Sequence, residues 1–175
     1  LNETEEQRGL AHFLEHMAFN GSKHFQDSTA LTNYFQRLGM GYGTDTNAYT
    51  SFDETVYMLE LPKNTPELLG SAMTMFRDYA DGLLLKTADI DKERGVVLSE
   101  MRDNESPEYR LQMATLKFLL EGTRIPERSP IGKAGVLKGC PPREIRRYYH
   151  NYYCAERMVL VAVGEVTPSQ LEPMV

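Results

Sequence analysis

Two imidazoles and a carboxylate stand within five residues, His12, Glu15 and His16, in the order H-x-x-E-H. This reverses the H-E-x-x-H order of many zinc peptidases. On a helix, residues four apart lie about 40° apart around the axis and about 6 Å apart along it, so both histidines can reach one metal ion. Glu15 falls on the neighbouring edge of the same face, where its carboxylate can hold a water beside that metal. The chemistry this permits is metal-assisted hydrolysis, with the metal as Lewis acid and Glu15 as proton acceptor. The plainer reading is a pair of ordinary histidines on an amphipathic helix. The complete H-x-x-E-H order on the non-core face favours the ligand reading.

The element that must position these groups is a helix. Leu10, Phe13, Leu14 and Met17 recur at helical spacing and form an apolar stripe. His12, Glu15 and His16 fall on the other side of the cylinder, so one face packs and the other chelates. Asn20-Gly21 supplies the stop.

A catalytic zinc site takes three protein ligands and keeps a fourth position open, so one ligand is still to be found. His24, in a polar loop, and His150, among tyrosines on a late helix, are candidates. The acid-rich helix over 88–105 is a better source. With Ile90 at the centre of its apolar stripe, Glu93 and Glu100 fall about 60–80° from that centre and within about 20° of each other, while Asp103 points away. Two carboxylates on the edge of a buried face are costly unless paired or bound to metal. Simple solvation of both edges is the alternative. Periodicity does not choose which of the two is the ligand.

The remaining chain supplies a scaffold. A helix from Ser28 with Leu31, Tyr34, Phe35 and Leu38 inward stops at Gly39. The turn Gly39-Met-Gly-Tyr-Gly43 lacks a phosphate-loop spacing and leads into a strand over 44–50. A second strand over 54–61 follows after Ser51-Phe-Asp53, which predicts an antiparallel pair. Thr65-Pro66 starts a helix to about Gly82, with Leu69, Met73, Phe76 and Tyr79 or Ala80 inward. The helix over 88–105 carries Ile90, Val97 and Met101. The next, over 107–121, carries Leu111, Ala114 or Thr115, and Phe118. The stretch 122–139 reads as irregular, Pro141-Pro142 opens a helix to about Tyr152, and 157–164 reads as an apolar strand. Thr167-Pro168 starts a last helix. The fold class is α+β: a mostly antiparallel (mixed) sheet with helices packed on one face.

Composition agrees with a folded domain. The 175 residues are 41% hydrophobic and 25% charged, enough for one domain with its own core. A net charge of −6 gives no basic footprint for nucleic acid. Arg143, Arg146 and Arg147 read as a solvated helix face. No apolar run reaches the length of a membrane span. The two cysteines, Cys140 and Cys154, match no zinc or redox spacing and leave the redox compartment open.

Several segments together resemble a known family. They are Gly9-Leu-Ala-His-Phe-Leu-Glu-His-Met17 with Gly21 following, Asn47-Ala-Tyr-Thr-Ser51, Asp53-Glu-Thr-Val-Tyr57, Glu93-Arg-Gly-Val-Val-Leu-Ser-Glu100, Pro130-Ile-Gly132, and Tyr148 to Glu165. The chain resembles the pitrilysin and insulin-degrading-enzyme (insulinase) family of zinc metallopeptidases, of inverzincin type, and is closest in flavour to its bacterial members. The resemblance implies that His12, His16 and Glu100 hold one Zn2+, that Glu15 is the catalytic base, and that Glu93 orients a ligand histidine. It implies that Asn47, Ala48 and Tyr49 line an extended substrate on a sheet edge. It also implies a second homologous domain or subunit, which completes the active site with an arginine and a tyrosine.

On this reading residues 1–175 form a single N-terminal zinc-binding peptidase domain, a pitrilysin-like domain truncated at both ends. The expected activity is zinc-dependent endopeptidase cleavage of extended peptides or unfolded protein segments. The alternative is a non-catalytic subunit or peptide-binding module on the same fold, disfavoured by the intact zinc motif. A closed structural zinc site is disfavoured too, because such sites use four ligands, usually thiolates. Resemblance to bacterial members points to the periplasm or cell envelope, with an organelle as the other setting.

Overall fold

Helix α1 (Leu10–Met17) carries the H-x-x-E-H segment. It buries Leu10, Phe13, Leu14 and Met17, the stripe read from the sequence, and His12 as well. Its first turn is fixed from outside. The Glu3 carboxylate accepts hydrogen bonds from Gly9 N at 3.0 Å and Ala11 N at 2.9 Å. Those donors would otherwise stay open at a helix start, and the negative charge suits the positive end of the helix dipole. Gly9 (φ +99°) meets Gly132 (φ +80°) backbone to backbone. A Cβ on Gly9 would stand 2.9 Å from the Gly132 Cα. Both positions need glycine for conformation and for room.

The computed structural model describes residues 1–41 and 43–175. Tyr42, inside the glycine-rich turn, lies outside the described residues. Along the chain, α1 is followed by α2 (Ser28–Arg37), β1 (Thr46–Thr50), β2 (Thr55–Leu59), α3 (Pro66–Asp81), α4 (Thr87–Asp103), α5 (Pro107–Leu119), α6 (Ala134–Gly139), α7 (Pro142–Tyr152) and α8 (Pro168–Leu171). Helix starts follow the local chemistry. Asp27, Thr65 and Ser106 each accept a backbone N–H at the first turn of α2, α3 and α5, and proline opens α3 and α5. The fold is α+β, with the two strands forming a hairpin closed by Ser51 N donating to Glu54 O at 2.8 Å.

The chain divides into two units. The first comprises Leu1–Met17, Tyr49–Val56 and Leu85–Tyr148. In it α1 meets α4, which turns Ile90, Glu93 and Val97 inward. Leu85, just before α4, has a left-handed backbone (φ +45°). Its carbonyl accepts from Arg146 Nε at 3.0 Å. Arg94, on α4, donates to the Leu137 and Cys140 carbonyls at the end of α6 and lies 5.9 Å from the Phe13 ring centre.

The second unit comprises Ala18–Ala48, Tyr57–Leu84 and Tyr149–Val175. Its core gathers Ala18, Leu31, Phe35, Met40, Met75 and Tyr79. Asp78 is buried and accepts from Ser22 Oγ, His24 N and, at 2.8 Å, His24 Nδ1.

Four expectations are corrected. On α3 Tyr79 is buried as expected and Phe76 packs partly buried against the core, but the fully buried face runs through Ala72, Met75 and Asp78 rather than Leu69 and Met73. Helix α5 buries no residue, and Leu111 and Phe118 stand 69% and 81% exposed. The stretch 122–139 contains helix α6 and a 3₁₀ turn at Ile125–Glu127. Residues 157–164 form no strand; Val159, Val161 and Val163 are exposed. Apolar patterning marks a face able to pack, but not whether this chain supplies what covers it. Cys140 and Cys154 are free thiols. Among the described residues, no helix is long and apolar enough to cross a membrane.

Candidate metal centre

The helical turn between His12 and His16 places their rings edge to face, with centres 4.7 Å apart. Opposite them, on α4, stands Glu100. Its Oε2 lies 3.5 Å from His12 Nε2 and 3.1 Å from His16 Nε2. One donor atom from each of the three residues falls within 4.8 Å of the others, and this is the metal-competent group found among the described residues. Ligands held about 2.0–2.1 Å from a tetrahedral zinc stand about 3.3 Å apart. The two measured separations bracket that spacing, so the donor set fits a zinc ion. Two neutral imidazoles and one carboxylate also leave a coordination position open.

Two turns earlier on α4, Glu93 is buried and its Oε1 lies 2.9 Å from His16 Nδ1. That contact keeps the proton on Nδ1 and leaves the Nε2 lone pair facing Glu100. Burial alone would lower the His16 pKa. The Glu93 hydrogen bond and charge, with Glu100 and Glu15, outweigh burial and raise it. The His12 pKa is lowered, by burial first and then by neighbouring His16, against the pull of Glu100. One imidazole is thus held ready to shed its proton, while the other is fixed in orientation.

Glu15 is half-buried on the same face. Its Oε2 accepts a hydrogen bond from Thr50 Oγ1 at 2.6 Å. Burial raises its pKa, opposed by the Thr50 hydrogen bond and the His16 charge. A carboxyl moved up from its ordinary value is a better proton acceptor near neutral pH. A cavity of about 330 Å³ opens beside His12, Thr50 and Glu100 and is walled further by Met101, Tyr109 and Ile131. All these residues belong to the first unit.

Of the substrate-edge residues, Tyr49 belongs to that unit and Asn47 and Ala48 are grouped with the second. The Tyr49 hydroxyl donates to Glu54 Oε1 at 2.8 Å, and Asn47 is exposed. His24 is tied to Asp78, and His150 is exposed on α7. Neither joins the group of three. Sequence reasoning missed Thr50 and Glu3. Thr50 lies within the Asn47–Ser51 segment, but no local pattern points its hydroxyl at Glu15, 35 residues away, and Glu3 stands outside the periodic part of α1 that it caps.

The family model for insulinase, peptidase family M16, matches residues 1–126. The chain belongs to the insulinase family. It is 34% identical over 166 residues to the probable zinc protease PqqL of Escherichia coli K12, covering 95% of this chain and 18% of that protein. The first half of the periplasmic protease PqqL from Escherichia coli superposes with a TM-score of 0.92 at 32% identity, covering 99% of this chain and 37% of that one. The ferredoxin protease FusC, solved as a mutant with Arabidopsis ferredoxin, superposes with a TM-score of 0.88 at 26% identity, covering 99% of this chain and 19% of that one. The chain spans about a fifth of the length of the curated relatives it matches. The Escherichia coli relative is named a probable zinc protease, and His12 to His16 lie inside the segment that the family model matches.

Proposed function

We propose that the protein containing this chain is a zinc-dependent endopeptidase and that residues 1–175 form its N-terminal zinc-binding domain. The observation that carries this reading is the convergence of His12 Nε2, His16 Nε2 and Glu100 Oε2, with Glu15 beside them. One Zn2+ per domain would be held by those three residues. When bound, zinc supplies Lewis acidity that brings a water toward neutral pKa and polarises a carbonyl.

The chain's own groups do the rest. Glu93 holds the His16 ring through Nδ1. Glu15 takes the proton of the attacking water at its carboxylate and passes it to the departing amine. Asn47, Ala48 and Tyr49, on β1, would receive the substrate as an added extended strand. Extended peptides and unfolded segments suit such an edge better than folded surfaces do. The name of the Escherichia coli structure, a first half, supports a two-part architecture in which a second homologous domain or subunit completes the site. The periplasmic setting of that relative supports the same compartment here.

The test is Glu15→Gln in the intact protein. Zinc content should be retained and cleavage of an internally quenched peptide should fall about 100-fold or more. Retained cleavage with full zinc content would sink the assignment.

A further inference from the structure

The hairpin mouth sets two threonines opposite each other, Thr50 at the end of β1 and Thr55 at the start of β2. Their hydroxyl oxygens are 3.2 Å apart. Thr50 Oγ1 also lies 2.6 Å from Glu15 Oε2, across 35 residues of sequence. A threonine hydroxyl has one proton to give and two lone pairs to accept with. The carboxylate, when ionised, can only accept. The order is therefore forced: Thr55 donates to Thr50, and Thr50 donates to Glu15.

We propose that Thr50 is the positioning residue for the Glu15 base, with Thr55 fixing the Thr50 hydroxyl in turn. This rests on the reading of Glu15 as the proton acceptor. The carboxylate ends a side chain with three rotatable bonds on a one-sided helix. One hydrogen bond to Oε2 selects a rotamer and leaves Oε1 without a hydrogen-bond partner among the described residues. The two carboxylate oxygens thus divide the work, one anchored and one open to a proton. Thr50 also lines the cavity beside His12 and Glu100. The carbon skeleton of threonine is not what this role needs. Valine keeps the β-branched shape that a strand end prefers and removes only the hydroxyl; serine keeps the hydroxyl.

The experiment compares Thr50→Val, Thr50→Ser and Glu15→Gln in the intact protein, using zinc content, circular dichroism and kcat and KM on an internally quenched peptide. Thr50→Val is expected to lower kcat about 10–100-fold, the cost of a misplaced reacting group, with KM within about twofold and zinc content unchanged. Thr50→Ser should recover most of the lost kcat. The proposal is overturned if Thr50→Val stays within about twofold of the parent kcat. It is overturned equally if Thr50→Ser is as poor as Thr50→Val, or if Thr50→Val loses zinc or its folded spectrum. Activity retained by Glu15→Gln would instead overturn the reading of the base itself, so the two failures are separable.

Discussion

Glu93 shows how much of the site depends on a single buried acceptor. A His ligand that has lost the partner on its other nitrogen binds metal more weakly, by about 10–100-fold. Glu93→Ala should therefore raise the zinc dissociation constant by about that factor in a titration against a competing chelator, while α4 stays helical. Unchanged affinity would detach Glu93 from the centre. At this scale the sequence was readable where chemistry is local. His12, Glu15 and His16 share one turn and one face, so their spacing already brought the three side chains together. Glu93 and Glu100 were readable only as a pair, because seven residues return to the same side of a helix. Which of them stands level with the histidine Nε2 atoms depends on how α4 slides along α1, and no periodicity encodes that. Thr50 was invisible for a related reason: a threonine closing a strand looks the same whether or not a carboxylate lies above its hydroxyl.

Elements were legible where they carry their own punctuation. Thr65-Pro66, Ser106-Pro107 and Pro142 open helices where the structure has them, since capping and proline geometry are decided within a few residues. Faces were less legible. In α3 small and large residues alternate so that two adjacent stripes are comparably apolar, and the core took Ala72 and Met75 over Leu69 and Met73. The meeting of Gly9 and Gly132 sets the entry of α1, and it belongs to the element rather than to either residue. Gly9→Ala adds a Cβ at 2.9 Å from the Gly132 Cα and forces a left-handed alanine. Its expected cost is about 1–3 kcal/mol, measured as a shift of the denaturation midpoint. Because the strain lands on the first turn of α1, zinc affinity should fall as well.

For the molecule as a whole, stability at high pH should be governed by Tyr149. Its ring is buried, its hydroxyl donates to Tyr79 O at 3.0 Å, and it accepts from Leu83 N at 3.3 Å. Burial pushes its phenol above the ordinary range. In the unfolded chain the phenol ionises near pH 10, while in the folded chain it keeps its proton. The unfolded state thus sheds protons first. The stability from this group is complete below about pH 10 and is lost as pH rises from there through the folded value. Denaturant midpoints between neutral and alkaline pH should fall more steeply for the parent than for Tyr149→Phe, which itself loses about 1–2 kcal/mol at neutral pH by removing the hydroxyl's two hydrogen bonds to the backbone. A last consequence concerns where the metal donors sit in the chain. The proposed donors His12 and His16 stand on α1 and Glu100 on α4, so neither helix alone holds a complete chelate. A metal ion gripped by both ends closes a long loop that the unfolded chain would leave open. Occupancy and folding are then linked quantities. A nascent or partly opened chain presents two weak half-chelates, and tight capture of the ion begins only when that loop is shut.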